Sequence, residues 1–226
     1  MTGICVVYNT KDLFQRAYES VRKFHPGLDM LIIDGSSESD PCFDYVRSLR
    51  SEATIYQFRN NVGHGPGMNI GLEKCKDDEA LIFDSDIVML RSPLSGMLSL
   101  MTRETYGVGW ITEIGSDGFD YGTFPGHFRE APIPYLHPYF MILNVKQYFR
   151  FPPFINHGAP CFQAMKAIHE KGLSRDILGN FLTGHTSGEG INWKGRPNPY
   201  IQHDFGGTRT MNKNNGEGEV PGKWQR

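Results

Sequence analysis

The sequence predicts an α/β fold with a mostly parallel central sheet flanked by helices. Through roughly the first ninety residues, short apolar runs rich in β-branched residues alternate with segments of helical periodicity. Runs that are apolar throughout are typical of strands covered on both faces, as in parallel sheets. At 226 residues the chain is long enough for one such domain, and no linker-like tract interrupts its middle.

The predicted elements follow one another in a regular order. A first strand, GICVVYN, leads into the helix KDLFQRAYESVRKF, which HPG ends. The strand DMLIIDG precedes the short helix DYVRSL, and the strand TIYQF precedes the helical segment MNIGLEKCK. Further strands are predicted at EALIFDSD, YGVGWIT and YFMILNV. A last helix, PCFQAMKAIHEKG, places Phe162, Met165, Ile168 and His169 on one side and ends at Gly172.

Composition and charge exclude several classes of partner. The 23 Lys and Arg residues nearly balance the 25 Asp and Glu residues, so the net charge of −2 gives no general attraction to nucleic acid or acidic membranes. The 4 cysteines are widely spaced and include no C-x-x-C pair, which favours a reduced setting. No run approaches the roughly 20 apolar residues of a membrane span. We therefore expect a cytoplasmic protein with no transmembrane segment.

Polar side chains end the first four predicted strands. These residues are Asn9, Asp34, Asn60 and Asp84. In doubly wound sheets, ligands bind outside the carboxyl ends of the strands. Taken alone, Asp34 is explained equally well as a cap of the following turn. Together the four residues predict one polar edge of the sheet that holds a shared site.

The stretch ALIFDSDIVML places Asp84 and Asp86 within an apolar run. An unpaired buried carboxylate is costly, so its charge must be neutralised, paired or bound to a metal. On a regular strand, residues i and i+2 point to the same face, where like charges repel unless a cation bridges them. The spacing therefore predicts a divalent cation site. The alternative is a turn at the strand end that solvates both carboxylates.

In the stretch NNVGHGPGMNIGL, four glycines and a proline within residues 61 to 71 predict a tight loop that leads into a helix. Glycines let backbone N–H groups approach a ligand closely, so a phosphate loop is one interpretation. The stretch lacks both the G-K-[ST] ending of a P-loop and the G-x-G-x-x-G fingerprint of dinucleotide folds. Its glycines alone therefore identify no ligand.

Together these motifs resemble the GT-A fold glycosyltransferases, especially those of family 2. The order is VVYN, then LIIDGSS, then an asparagine and glycine motif from Asn61 to Gly71, then an apolar strand ending in DSD. The resemblance implies a Rossmann-like GT-A domain over residues 1–205, with a nucleotide-binding half at about 1–95 and an acceptor half at about 96–205. Residues 206–226 are polar and glycine-rich, and we expect a flexible tail.

The resemblance also implies roles for individual residues. A nucleotide-sugar-binding set is implied, made of Tyr8, Asn9, Asp34, Arg59, Asn60, Gly63, Asp84, Ser85 and Arg209. Within this set, Asp34 accepts hydrogen bonds from the base, and Asp84 contacts the ribose or metal-bound water. Asp86 is the direct ligand of a Mn²⁺ or Mg²⁺ ion that screens the charge of the nucleoside diphosphate leaving group.

The implied activity is metal-dependent transfer of a hexosyl or related sugar from a nucleotide-sugar donor to a hydroxyl of a saccharide or glycoconjugate acceptor. Such a transferase serves polysaccharide biosynthesis. Two other classes are weighed against it: a nucleotidyltransferase acting on sugar phosphates, and a non-catalytic carbohydrate-binding module. The nucleotidyltransferase normally carries its glycine-rich loop directly after the first strand, where YNTKDLF has no glycine.

At the position where the family carries its general base, this sequence departs from the family pattern. Family-2 enzymes usually carry an acidic pair at the start of the helix that aligns here with GAPC, which contains no acid. Other candidates for the base are Glu113, Asp117 and Glu189. The alternative is a retaining reaction, which needs no dedicated base.

The late motif IQHDFGGTRT resembles the H-x-x-G-G-[ST] ending of many GT-A enzymes. The resemblance implies that His203 meets the metal or a phosphate and that the segment after Gly206 closes over the donor. Arg209 is then placed to pair with the diphosphate. His185 is the substitute for His203 as the metal ligand.

Overall fold

The computed structural model describes residues 1–116, 118, 132–183, 186–187, 191–192 and 198–204. The strands are β1 (Thr2–Val7), β2 (Asp29–Asp34), β3 (Thr54–Gln57), β4 (Glu79–Phe83), β5 (Ile87–Met89), β6 (Gly107–Ile114), β7 (Ile133–Asn144), β8 (Leu178–Asn180), β9 (Thr186–Ser187), β10 (Ile191–Asn192) and β11 (Ile201–His203). The helices are α1 (Lys11–Phe24), α2 (Pro41–Ser48), α3 (His64–Lys74), α4 (Leu94–Ser99), α5 (Val145–Tyr148), α6 (Phe162–Glu170) and α7 (Ser174–Ile177).

Seven strands form the central sheet in the order β3-β2-β1-β4-β7-β6-β8. β1 pairs in parallel with β2 and β4, β2 with β3, and β6 with β8. β7 runs antiparallel to both β4 and β6, which makes the sheet mixed. The predicted α/β class with a mostly parallel sheet is confirmed, and the carboxyl ends of β1, β2, β3 and β4 lie at one edge.

Helices cover both faces of this sheet because its strands alternate buried side chains between two cores. Ile4 of β1 belongs to the core that α3 and α6 cover, whereas the next residue, Cys5, belongs to the core that α1 and α2 cover. α1 begins and ends where its helical spacing predicts, and it buries Phe14 and Val21 against the sheet. Parallel strands covered in this way hold the carboxyl edge rigidly.

α3 begins at His64, four residues earlier than the predicted helical segment MNIGLEKCK. The predicted loop is therefore wrong from His64 to Gly67, which belong to the helix, and the helix from Met68 onward is confirmed. The glycines serve packing, because a Cβ at Gly67 would lie 2.6 Å from Cγ1 of Val6 and a Cβ at Gly65 would overlap the backbone oxygen of Ile155. Tertiary packing thus overrides the poor helix propensity of glycine.

Two further boundaries differ from the sequence prediction. β4 ends at Phe83, so the DSD stretch lies outside the strand. His169 is exposed on α6, although it was predicted on the apolar side with Phe162, Met165 and Ile168, all of which are buried. Within the described part of the chain, no helix combines the length and apolarity that a membrane crossing requires.

β5 and β11 form a small antiparallel ladder beside the main sheet, and the sequence patterns did not predict it. His203 pairs with Ile87 in its register. Arg16 of α1 also reaches this ladder, with Nη2 at 2.6 Å from Oδ2 of Asp204. The ladder brings the end of the described chain to the carboxyl edge of β4.

Asn69 joins α3 to the segment that follows β7. Its Nδ2 donates to the backbone oxygen of Phe154 at 2.8 Å, and its Oδ1 accepts from the Tyr148 hydroxyl at 2.7 Å and from the Phe154 N–H at 3.0 Å. One amide therefore satisfies three polar groups of this segment.

Asn69→Ala should lower the free energy of unfolding by about 1–3 kcal/mol, because it leaves these groups without partners. For a chain of this size, each kcal/mol corresponds to a fall of about 2–4 °C in Tm. Thermal unfolding of the variant measures the effect. Gln15→Ala, which alters only an exposed pair with Glu19, is the control. A wild-type Tm for Asn69→Ala would contradict the role of the amide.

Candidate metal centre

Asp84, Ser85 and Asp86 form the connection between β4 and β5 at the carboxyl edge of the sheet. The Asp84 N–H donates to the Tyr139 oxygen of β7 at 2.9 Å, which fixes the start of this connection. Ser85 and Asp86 are buried. The prediction that both carboxylates point from one face of a regular strand is wrong, because the strand ends before them.

The two carboxylates nevertheless converge on His203. Its Nε2 lies 3.0 Å from Oδ1 of Asp86 and 3.4 Å from Oδ2 of Asp84. The backbone contributes as well, since the Asp204 N–H donates to the Asp86 oxygen at 2.9 Å. Asp84, Asp86 and His203 thus offer three ligand atoms within 4.8 Å of one another. The sequence predicted this trio, and the structure brings it together.

Aromatic rings hold the imidazole of His203 from one side. The Tyr139 ring stacks on it, with centroids 5.1 Å apart and planes inclined by 12°. His137 lies next along β7, with its ring centroid 6.4 Å from that of His203. Stacking on a fully buried tyrosine restricts the orientation of a ligand imidazole. Sequence reasoning assigned neither Tyr139 nor His137 to this site.

His64 is a further residue of this site that sequence reasoning missed. It is the first residue of α3, and its Nε2 lies 3.1 Å from Oδ1 of Asp84. Its position directly after Gly63 in the asparagine and glycine motif was the available signal. The contact itself joins the start of a helix to the end of a strand, which no local pattern reveals.

The charges of the site are arranged around the two carboxylates. Burial alone would raise the pKa of Asp84, but the neighbouring His64 and His203 outweigh it and hold that pKa well below its usual range. Burial alone would lower the pKa of His203, but its hydrogen bonds to Asp84 and Asp86 raise it to about 9. Burial lowers the pKa of His137 to about 3, which leaves that ring neutral.

The donor set fits a divalent transition metal. Carboxylate oxygens and imidazole nitrogen are suitable ligands for Mn²⁺. Oδ1 of Asp84 is buried and forms no hydrogen bond of acceptable angle with the described residues, although His64 Nε2 is near. The other oxygen of Asp84, Oδ2, faces His203 and offers acceptor capacity to a cation beside Asp86.

Asp34 lies at the same edge of the sheet, at the end of β2, and it is fully buried. Its Oδ1 accepts from the Ser36 N–H at 2.8 Å, and its Oδ2 accepts from Nε2 of Gln57 at 2.8 Å. Burial raises its pKa, and the hydrogen bonds from Ser36 and Gln57 oppose that rise. The structure therefore supports a turn-capping role, and the contact with a nucleotide base stays a prediction.

Other predicted nucleotide-binding residues lie in the loops around Asp34. Asn9 has a positive φ of 49° and its Oδ1 accepts from the Ser37 N–H at 3.0 Å, which joins the loops after β1 and β2. Arg59 is exposed and pairs with Glu38 at 3.0 Å. Gly63 precedes α3 with a φ of 77°, which favours glycine. Their contacts with a ligand stay predictions, as do those of Tyr8 and Asn60.

Of the candidates for the general base, only Glu113 lies among the described residues. Glu113 is exposed on β6, opposite Pro134 of β7. α6 has no acidic residue in its first turn, in agreement with the departure from the family pattern. The other two base candidates, Asp117 and Glu189, lie outside the described residues. So do His185, the substitute metal ligand, Arg209, the predicted partner of the diphosphate, and the predicted tail after Gly206.

Comparison with sequence families gives one clear result. The family model described as Glycosyl transferase family 2 matches residues 4–170. This range spans more than half of the 226 residues and includes Asp34, Asp84 and Asp86. A search of the curated proteins finds no significant match to the sequence.

Several solved structures share the fold. The mannosyltransferase PcManGT from Pyrobaculum calidifontis, in complex with GDP-Man and Mn²⁺, matches with a TM-score of 0.57 and 12% identity over 80% of this chain and 54% of its own. S. aureus TarS 1-349 with UDP-GlcNAc matches with a TM-score of 0.54 and 15% identity over 80% of this chain and 55% of its own. GalNAc-T7 with UDP, GalNAc and Mn²⁺ matches with a TM-score of 0.54 and 10% identity over 73% of this chain and 39% of its own. The chain spans about half the length of these structures, or less, and the likeness establishes the fold.

In metal-free protein, stability should fall as pH rises from 6.5 to 8. Although burial disfavours its charge, His203 gains from both carboxylates, so its folded pKa of about 9 exceeds the ordinary 6.5. The contribution of His203 to the free energy of unfolding is complete below pH 6.5 and is lost as pH rises through about 9. Urea unfolding in EDTA should show a decrease of up to about 1.4 kcal/mol per pH unit for this proton. His203→Gln should flatten the slope, and an equal slope in both proteins would contradict the pairing.

Proposed function

Because this chain belongs to glycosyl transferase family 2, we propose that it is a metal-dependent glycosyltransferase. It moves a sugar from a nucleotide-sugar donor to a hydroxyl of a saccharide or glycoconjugate acceptor. The observation that carries this proposal is the convergence of Asp84, Asp86 and His203 at the carboxyl edge of the sheet. Ligands of doubly wound sheets bind at this edge.

Asp84, Asp86 and His203 would hold a Mn²⁺ or Mg²⁺ ion, and the imidazole favours Mn²⁺. When bound, the ion would screen the charge of the nucleoside diphosphate as it leaves the sugar. The chain's own residues set the conditions for this chemistry. Asp86 and His203 are both buried, which limits their contact with water. The ladder pairs His203 with Ile87, and the Asp204 N–H donates to the backbone oxygen of Asp86, so the backbone of both residues is fixed.

The donor nucleotide would lie across the carboxyl ends of β1 and β2, beside the ion. The loops there are joined by Asn9 and Ser37 and are stiffened by the buried Asp34. The similar structures named above are complexes with GDP-Man, UDP-GlcNAc or UDP and GalNAc, and this supports a nucleotide-sugar donor here. All four cysteines are free, which supports a reducing compartment such as the cytoplasm.

The two alternative functions, a nucleotidyltransferase and a carbohydrate-binding module, explain fewer features of the site. A carbohydrate-binding module does not require two carboxylates that converge on a buried histidine. A nucleotidyltransferase would use a glycine-rich loop after β1, whereas the glycines of this chain pack α3 against β1. Both alternatives also leave the family match unexplained.

Mn²⁺ together with a matching nucleoside diphosphate should raise the Tm of the wild-type protein. Ligand at 100 times its Kd adds about 2.7 kcal/mol of stability. A thermal-shift panel of sugar nucleotides and nucleoside diphosphates, with Mn²⁺ or EDTA, names the donor by the largest shift. Asp86→Ala should abolish the metal-dependent shift, whereas Asp44→Ala, at an exposed carboxylate of α2, should keep it. An undiminished shift in Asp86→Ala would refute the centre.

Asp34→Asn tests the contact with the nucleotide base separately from the metal. If Asp34 accepts from the base, the variant should bind the donor about 1–3 kcal/mol more weakly, the cost of an unsatisfied partner. Calorimetric titration of the best donor measures this cost. Asp40→Asn, at the cap of α2, is the matched control. Unchanged donor affinity with a lower Tm would assign Asp34 to the turn alone.

A further inference from the structure

The carboxylate of Asp84 lies between two imidazoles. Oδ1 faces His64, whose Nε2 is 3.1 Å away, and Oδ2 faces His203, whose Nε2 is 3.4 Å away. Each oxygen of Asp84 therefore faces a different histidine.

Only one of these histidines belongs to the converging trio. His203 lies 3.0 Å from Asp86 Oδ1 and shares the trio with Oδ2 of Asp84. His64 contacts Asp84 from outside the trio, and 37% of its side chain is exposed. The terminal torsion of an aspartate is broad, so an outer partner is needed to select one orientation of the carboxylate.

The backbone fixes His64 in place. It begins α3, where the Gly67 N–H donates to the Gly63 oxygen at 2.9 Å and closes the first turn. Asn69 ties the same helix to the backbone of Phe154. Replacing the hydrogen of Gly65 with a side chain would overlap the backbone of Ile155, so the start of α3 is packed against it. The imidazole is thus presented from a rigid support.

We propose that His64 is a positioning residue of the metal centre, which donates to Oδ1 of Asp84 and keeps Oδ2 turned toward Asp86 and His203. This inference rests on the proposed function, because it assigns the outer partner of a proposed ligand. Outer partners that orient a metal ligand typically contribute 10–100-fold to metal affinity. No change in the fold is needed for this effect, since His64 is not part of the buried core.

The test is a Mn²⁺ titration of the full chain, followed by the EPR signal of the free ion. His64→Phe keeps a flat ring and removes the donor, and it should raise the Kd for Mn²⁺ about 10–100-fold. His64→Gln keeps an N–H donor and should restore most of the affinity. His169→Phe makes the same change at an exposed position of α6 and should bind like the wild type. Tm values in EDTA report whether each variant is folded.

Three results would overturn the assignment. They are wild-type affinity in His64→Phe, equally weak binding in His64→Gln and His64→Phe, and a second ¹⁴N coupling in pulsed EPR of bound Mn²⁺ that is absent from His64→Phe. The last result would make His64 a direct ligand. Asp86→Ala in the same titration separates this failure from that of the proposed function. If neither the wild type nor Asp86→Ala binds Mn²⁺, both proposals fail. If Asp86→Ala loses Mn²⁺ binding but His64→Phe keeps wild-type affinity, the metal centre is supported and only the role of His64 is refuted.

Discussion

The meeting of two aspartates with one histidine at the end of β4 is the contact on which the rest of this site depends. Asp86 and His203 are both buried, and their side chains are 3.0 Å apart across 117 positions of sequence. Buried charges are costly unless they are paired or bound to a metal. The fold therefore has to hold these groups together, and each nearby element contributes to that task.

The central sheet positions the two aspartates, and the small ladder of β5 and β11 positions His203. The parallel strands β1, β2 and β4 bring their carboxyl ends to one edge, while the antiparallel β7 fixes Asp84 through its backbone and places Tyr139 beneath His203. The ladder of β5 and β11 then returns a late segment of the chain to the same edge. The close packing of α3 on β1, which its glycines allow, brings His64 against Asp84.

Sequence patterns predicted the parts of this structure that depend on local periodicity or short spacing. The bounds of α1 are an example. The grouping of Asp84 and Asp86 with His203 spans 117 positions, and only the resemblance to GT-A enzymes implied it. The early start of α3 was not predictable, because glycine disfavours helices and only contact with Val6 and Ile155 compensates. The contact of His64 with Asp84 depends on where a helix begins relative to a strand end, and sequence spacing carries no such information.

Anomalous diffraction at the manganese edge, from crystals grown with Mn²⁺ and the preferred nucleoside diphosphate, tests the central claim most directly. The account predicts one strong anomalous peak in contact with Asp86 and His203 and near Asp84, with the diphosphate bound to the same ion. Magnesium in place of manganese should remove the peak and keep the fold. A diphosphate bound at the carboxyl edge with no anomalous peak beside Asp86 would contradict the claim that these side chains form the metal centre.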